Sequence, residues 1–167
     1  MREIELTKGQ VALVDDADYE LLSQFKWCAR WSPNSHGYYA QRMSRVNEGP
    51  PYRRSVLMHS YLTGWPLVDH IDHNGLNNTR QNLRPASREE NAQNRKPDRR
   101  GSSKYKGVYW REERSRWVVQ IRANGVRRKG GLYTSEDDAA RAYNELAKEL
   151  HGEFAYLNVI PITKDET

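Results

Sequence analysis

Apolar positions in this chain come in short runs whose spacing changes several times. Near the start Ile4 and Leu6 alternate with Glu3 and Glu5, which predicts a half-buried strand, and the apolar run Val11–Val14 follows. From Asp15 to Phe25 the spacing becomes helical, with Asp15 or Asp16 as the N-cap and Leu21, Leu22 and Phe25 as the buried stripe. Two aromatic strands are predicted around Trp27–Trp31 and Gly37–Arg42, joined by the turn-rich S-P-N-S-H-G. After the loop N-E-G-P-P, the apolar stretch Val56–Leu62 is expected to be helical. Leu67, Val68 and Ile71 then bracket Asp69-His70 in a strand context, with a turn cornered at Asn74-Gly75. A second extended piece runs through Asn82, Leu83 and Arg84 and stops at Pro85. Ser87 and Glu90 form a capping box that opens a helix carrying Asn91.

The last third has a cleaner pattern. Y-K-G-V-Y-W, R-W-V-V-Q-I-R and a run ending near G-L-Y predict three strands, with Asn124-Gly125 as a hairpin turn. Ser135 caps a following helix that Gly152 stops, and Ala139, Tyr143, Leu146, Ala147 and Leu150 share one face of it. A three-stranded sheet alone has no core, so this face is expected to pack on it. Between the two regions, residues 96–104 (K-P-D-R-R-G-S-S-K) hold no hydrophobic residue and read as an extended basic linker, flexible without a nucleic-acid partner. The expected organisation is therefore α+β in two domains: residues 1–95, linker 96–104, a small sheet-and-helix domain 105–159, and a tail 160–167.

Composition supports two thin cores over one large one. Hydrophobic residues make up 37% and charged residues 29% of 167 positions, and the mean hydropathy is −0.99. Lys and Arg number 27 against 22 Asp and Glu, a net charge of +5, which favours anionic partners. No apolar run is long enough to span a bilayer, and the N-terminus lacks a signal-peptide pattern, so no membrane partner and a soluble, intracellular location are expected. The single cysteine, Cys28, excludes an internal disulfide and a multi-cysteine zinc site, and is expected to be a small core residue beside Trp27.

The chemistry concentrates between Leu67 and Arg95. An Asp carboxylate and an Asn carbonyl offer hard oxygen ligands to a divalent cation, with waters and phosphate oxygens completing its shell. An adjacent imidazole can take a proton from an attacking water. Over about residues 55–95 the pattern D-H-x-D/N-x-N-G, N-L-R and E-N-x-x-N resembles the HNH, or ββα-metal, nucleases, in their phage and intron-borne homing-endonuclease branch. The resemblance implies His70 as general base and Asp69 as metal ligand. It implies that Asn82 holds the two strands and the catalytic histidine in register, and that Asn91 is the second ligand at a position often held by His. An amide oxygen is harder than an imidazole nitrogen, which favours one Mg²⁺, with Mn²⁺ as the second choice. His73 departs from the usual family residue and is read either as a solvated turn residue or as a contact to metal or phosphate. His59 is expected to support the core behind the site.

Residues 105–158 resemble the AP2 domain, a three-stranded sheet backed by one helix, through Y-K-G-V, R-W-V-V-Q-I-R, S-E-D-D-A-A-R-A-Y-N and the closing G-E-F-A-Y-L-N. In that family the sheet lies in the DNA major groove, and the positions that carry over are Lys106, Arg111, Trp117, Arg122 and Arg127. Tyr109, Gln120 and Lys129 stand where the family often has Arg, Glu and Trp, so no sequence preference transfers. Trp117 is read either as a DNA contact or as sheet core. Arg95, Arg99 and Arg100 add a basic stretch expected to meet the DNA backbone. Together these readings predict a metal-dependent endonuclease acting on double-stranded DNA as a monomer, with a phage-type resemblance that implies a bacterial host cell. The alternatives are a non-catalytic DNA-binding protein with a decayed nuclease domain, against which the intact Asp69, His70, Asn82 and Asn91 set argues, and a protein that binds or cuts RNA.

Overall fold

The alternation at the N-terminus produces strand β1 (Arg2–Glu5), which pairs antiparallel with β2 (Val11–Val14) and sets Ile4 opposite Ala12. The structure is a computed structural model that describes residues 1–44, 54–97 and 101–161. The chain divides into two compact units, Met1–Asn91 and Ala92–Thr167. The loop N-E-G-P-P and the predicted contact residues Arg99 and Arg100 lie outside the described residues.

In the first unit, helix α1 (Asp16–Ser23) follows β2, and a second sheet contains β3 (Cys28–Ser32), β4 (Gly37–Met43) and β5 (Ser55–Leu57) in that order. Trp27 is 1% exposed at the centre of the core, its indole N–H donating to the Leu22 carbonyl, and Ile4, Val14, Leu22, Ala29, Ala40 and Met58 surround it. Arg42 is buried beside them, its guanidinium 4.1 Å from the Phe25 ring centroid and 5.0 Å from that of Tyr61.

Several local expectations are corrected here. Cys28 is exposed, because Ala29 is the β3 residue turned to the core and strand alternation sends its neighbour outward. Leu21 is 43% exposed, and Tyr19 packs on the core from α1 instead. Asp15 occupies the N-cap of α1 without capping it, since its carboxylate accepts the backbone N–H of Arg80 at 2.7 Å. The stretch Val56–Leu62 is only partly helical: its start belongs to β5, and helix α2 runs Met58–Thr63.

The unit ends in strand β6 (Val68–His70), a loop, strand β7 (Leu83–Pro85) and helix α3 (Arg88–Gln93). The α3 start is a reciprocal box: the Ser87 N–H donates to Glu90 Oε2 at 2.6 Å, and the Glu90 N–H donates to Ser87 Oγ at 3.1 Å.

The second unit holds β8 (Val108–Arg111), β9 (Arg116–Ala123) and β10 (Val126–Tyr133), with β9 in the middle, and helix α4 (Glu136–His151). Asn124 and Gly125 both take positive φ at the β9–β10 turn. The Asp138 N–H donates to Ser135 Oγ at the start of α4, whose Ala139, Tyr143 and Ala147 are buried against Val108, Val119 and Ile121. The end of the predicted linker is tied down: Ser103 is buried and donates to Glu136, and the Lys104 N–H donates to the same carboxylate.

Candidate functional site

The β6–β7 ladder is antiparallel, with Asp69 opposite Arg84 and His70 opposite Leu83. Directly opposed residues share a face, so Asp69 meets Arg84, and Nε and Nη2 of Arg84 donate to Asp69 Oδ2 at 2.9 and 2.7 Å. Both side chains are nearly buried. Arg84 was not among the residues singled out from sequence; an N-L-R tripeptide whose Leu pairs with the histidine would have placed it.

Between the strands runs a polar loop in which Asn82 is the central fastener. Its amide Nδ2 donates to Asp72 Oδ1 at 2.9 Å and to the Asn77 carbonyl at 2.8 Å, and its Oδ1 accepts the Asp72 N–H at 3.0 Å. Its backbone carbonyl accepts the Ile71 N–H at 3.0 Å. One side chain therefore ties the residues just after β6 to those just before β7. Asp72 also accepts the Asn74 N–H and the Asn77 amide. Desolvation pushes its carboxyl up, but the bonds from Asn77, Asn74 and Asn82 together outweigh it and hold the group below the usual range.

His70 is buried on the same hairpin. Burial lowers its pKa from 6.5, overcoming the raising influence of the Asn78 side chain and of Asp72 and Asp69, so the imidazole favours its neutral, proton-accepting form. Two rings pack on it edge to face: His59 at 4.9 Å and Tyr39 at 5.7 Å between centroids. His59 is itself buried, and burial with the charge of His70 lowers its pKa to about 3. Tyr39 comes from β4, and the loop approaches that strand closely at Gly75, where a Cβ would sit 2.6 Å from the Tyr38 carbonyl oxygen and the Tyr39 ring. His73 adopts φ 60 in the turn.

The N-terminal elements also hold this loop. The Leu13 N–H donates to Leu76 O at 2.9 Å, and the Leu13 carbonyl accepts the Asn78 N–H at 2.8 Å. Arg80 grips Asp18 through Nε and Nη2 at 2.8 and 2.7 Å while its backbone is held by Asp15. Thus Asp69, His70 and Asn82 share one braced hairpin, and α3 carries Asn91, half-buried, immediately after it.

The charge is unevenly placed. Residues 1–91 hold 11 Lys and Arg against 11 Asp and Glu, which leaves 16 against 11 for residues 92–167. In the second unit Val119, Ile121 and Trp117 point to α4, so the alternate residues Arg116, Val118, Gln120 and Arg122 form the outer face. Strand pairing adds Arg111 opposite Arg116 and Arg127 opposite Arg122, with Lys129 opposite Gln120. The predicted Arg111, Arg122 and Arg127 thus lie together on one exposed face, which Arg116 and Lys129 join. Two like-charged Arg pairs in direct register cost up to about 1 kcal/mol each in the free protein, a cost that a bound anion removes.

Two predicted contacts are placed elsewhere. Trp117 packs against the helix-side core and edge to face with Trp110 at 5.2 Å, because it falls on the same strand parity as Val119. The ammonium of Lys106 donates to the carbonyls of Ala92, Gln93 and Arg95, and burial with the nearby Arg95 charge lowers its pKa to about 8. Arg95 itself is exposed.

Over 153 residues, 92% of this chain and 77% of the relative, the protein is 32% identical to one named as an uncharacterized HNH endonuclease in Acanthamoeba polyphaga mimivirus. The chain belongs to the HNH endonuclease family. It is also 37% identical over 90 residues to Protein 3.8 of Escherichia phage T7, covering 53% of this chain and 72% of that one. No family model matches the chain. No solved structure matches it either. Among the described residues no helix is long and apolar enough to cross a membrane.

Proposed function

We propose that this protein is a metal-dependent endonuclease that hydrolyses phosphodiester bonds in double-stranded DNA. In this reading His70 is the general base, Asn82 braces the hairpin that presents it, and Asp69 and Asn91 hold one divalent ion. The single observation that carries the reading is the hairpin itself: a buried, neutral-favouring imidazole one residue from a carboxylate, fixed by a dedicated asparagine. The buried His59 ring and the half-buried Tyr39 ring limit the rotation of His70, so its proton-accepting nitrogen is held for a water rather than found by chance.

The donor set fits a hard cation. Among the described residues no group of three or more His, Cys, Asp or Glu is arranged to hold a metal ion by itself, so the proposed ion relies on an amide oxygen, waters and substrate as well. One carboxylate and one amide oxygen suit Mg²⁺, which keeps several waters and takes substrate phosphate oxygens, with Mn²⁺ an acceptable substitute. When bound, the ion supplies charge stabilisation at the phosphate and the leaving oxygen. Asp69 and Asn91 orient it, and Arg84 fixes the carboxylate of Asp69 in one rotamer.

The AP2-like sheet-and-helix unit binds the duplex through the outer cations Arg111, Arg116, Arg122, Arg127 and Lys129, with Arg95, Arg99 and Arg100 adding backbone contacts. With one site per chain, a monomer nicks; cutting both strands takes two chains or two events. Incubating the full chain with supercoiled plasmid and Mg²⁺ tests the proposal: open circles form, and EDTA or His70→Ala prevents them. An RNA competitor that displaces the plasmid as well as duplex DNA does would turn the substrate assignment toward RNA.

A further inference from the structure

The outer face of the C-terminal sheet is not uniformly basic. Reading β9 along this face, the cross-strand rungs are Arg111 and Arg116; then Tyr109, Val118 and Leu132; then Gln120 and Lys129; then Arg122 and Arg127. An apolar rung thus crosses all three strands inside a cationic frame. Tyr109 is 37% and Leu132 45% exposed, while Val118 between them is buried.

The placement of Leu132 depends on a local irregularity. The β9–β10 register shifts between Lys129 and Gly131. Gly130 turns toward Val119 and Leu146, where a Cβ would fall 2.5 and 2.4 Å from their side chains, and Gly131 takes φ +119, a conformation only glycine adopts easily. Without this bulge, alternation would turn Leu132 to the helix side and Tyr133 outward. With it, Tyr133 packs on the core and Leu132 is exposed beside Val118. A glycine pair that exposes a leucine at the centre of a basic face suggests that the leucine is used there.

We infer that the exposed Tyr109 and Leu132 of this rung, seated on Val118, form a specificity element that packs on thymine 5-methyl groups in the major groove of duplex DNA. The inference rests on the DNA-binding reading of this sheet proposed above. Its geometry follows from strand dimensions. The two Arg pairs are six residues apart on β9, roughly 20 Å at the usual strand rise. A major groove about 12 Å wide fits within that span, so the Arg pairs meet the phosphates bordering it while the rungs between face base edges. Of the groups presented there, the thymine methyl is the one that an apolar rung recognises. Gln120 and Lys129, on the next rung, are hydrogen-bonding neighbours for the adjacent base pair.

The test uses the full chain in EDTA, so that nothing is cut. Duplexes are selected from a randomised pool, and the best binder is remade with deoxyuridine in place of thymidine at single positions. Removing a methyl group leaves every hydrogen-bonding edge and every phosphate in place. The expected result is a loss of about four-fold in affinity per contacted methyl, confined to one or two positions, with no change in salt dependence. Leu132→Ser and Tyr109→Ser, both surface changes, should weaken the thymidine duplex and abolish the difference from deoxyuridine. Equal affinity of the wild-type chain for both duplexes at every position overturns the inference while leaving DNA binding by the sheet intact. A Leu132→Ser change that dissolves a self-association and leaves the discrimination untouched also overturns it, because the rung is then a contact between copies. If no duplex is enriched and binding is insensitive to salt, the DNA-binding reading falls first and this inference falls with it.

Discussion

Asp69 and Arg84 face each other across the β6–β7 ladder, and Arg84 Nε and Nη2 both donate to the same carboxylate oxygen, Oδ2. The pair is nearly buried, at 8% and 11% side-chain exposure, so neither charge is shielded by water as a surface pair would be. This arrangement gives Asp69 a fixed orientation.

Removing Arg84 therefore has two separable effects. In EDTA, Arg84→Met should lower stability by about 3 kcal/mol, because a buried carboxylate loses its partner. Mg²⁺ or Ca²⁺ should restore more of that loss in the variant than it adds to the wild type, since the cation compensates the same charge. Thermal melts with and without metal decide the matter; a metal increment equal in both proteins removes Asp69 from the ligand set.

For His70, the lowered pKa has a direct kinetic consequence. The neutral form dominates at pH 7, so the single-turnover cleavage rate should be flat around pH 7 and decline only at pH below the ordinary histidine value of 6.5. His70→Ala should abolish cleavage while leaving duplex affinity within about two-fold, because a base that acts on water does not hold the duplex. A rate that already falls between pH 8 and pH 7 would contradict the assignment.

His59 makes stability depend on pH with a defined sign. In the folded chain its pKa is about 3, against 6.5 when free. Between those values the unfolded chain binds the extra proton, so stability is full above about pH 6.5 and is lost as pH falls toward 3, by up to about 1.4 kcal/mol per unit. Urea midpoints at pH 7 and pH 5 should reveal this slope, and His59→Phe should reduce it. An unchanged slope in that variant would show that other groups carry the acid sensitivity.

The outer cations predict a salt dependence and a trade-off. If Arg111, Arg116, Arg122, Arg127 and Lys129 each neutralise one phosphate, log affinity should fall against log salt with a slope of roughly −4.5 from this face alone. Arg127→Ala should flatten the slope by about one and raise the melting temperature slightly, because it relieves the like-charged pair with Arg122. Lys106→Met should instead lower stability and leave the slope unchanged, since its ammonium is held by three backbone carbonyls. A slope reduced by Lys106→Met would return that residue to the interface.

Local signals were legible where the residues that make a feature are close in sequence. The Ser87–Glu90 box, the Asn124-Gly125 turn and the helical stripe of α4 are each complete within a few positions, and each is found where its pattern predicts. The candidate site was legible as a set of residue types, Asp69, His70, Asn82 and Asn91, but not as a set of contacts. Arg84 joins Asp69 only through ladder register, and Asp15 abandons its cap for a backbone N–H 65 residues away, which no local pattern encodes. Cys28 was misplaced, and Trp117 was left open between core and DNA contact, for a shared reason. An isolated large or sulphur-bearing residue suggests burial or contact by its type, whereas strand parity, set by neighbours such as Val119 and Ala29, decides its face. The outward turn of Leu132 additionally needed the bulge, which the glycine pair hints at without fixing its register.

The grip of Arg80 on Asp18, 62 residues earlier, has a consequence for the order of events as the chain folds. Joining such distant residues carries a loop-closure entropy that grows only slowly with separation, but nothing offsets it until both ends exist. During synthesis the first helix waits for its partner, and the hairpin bearing His70 has no brace until β2 and α1 are already in place. A growing or partly unravelled chain that lacks these contacts therefore leaves the loop between β6 and β7 unbraced.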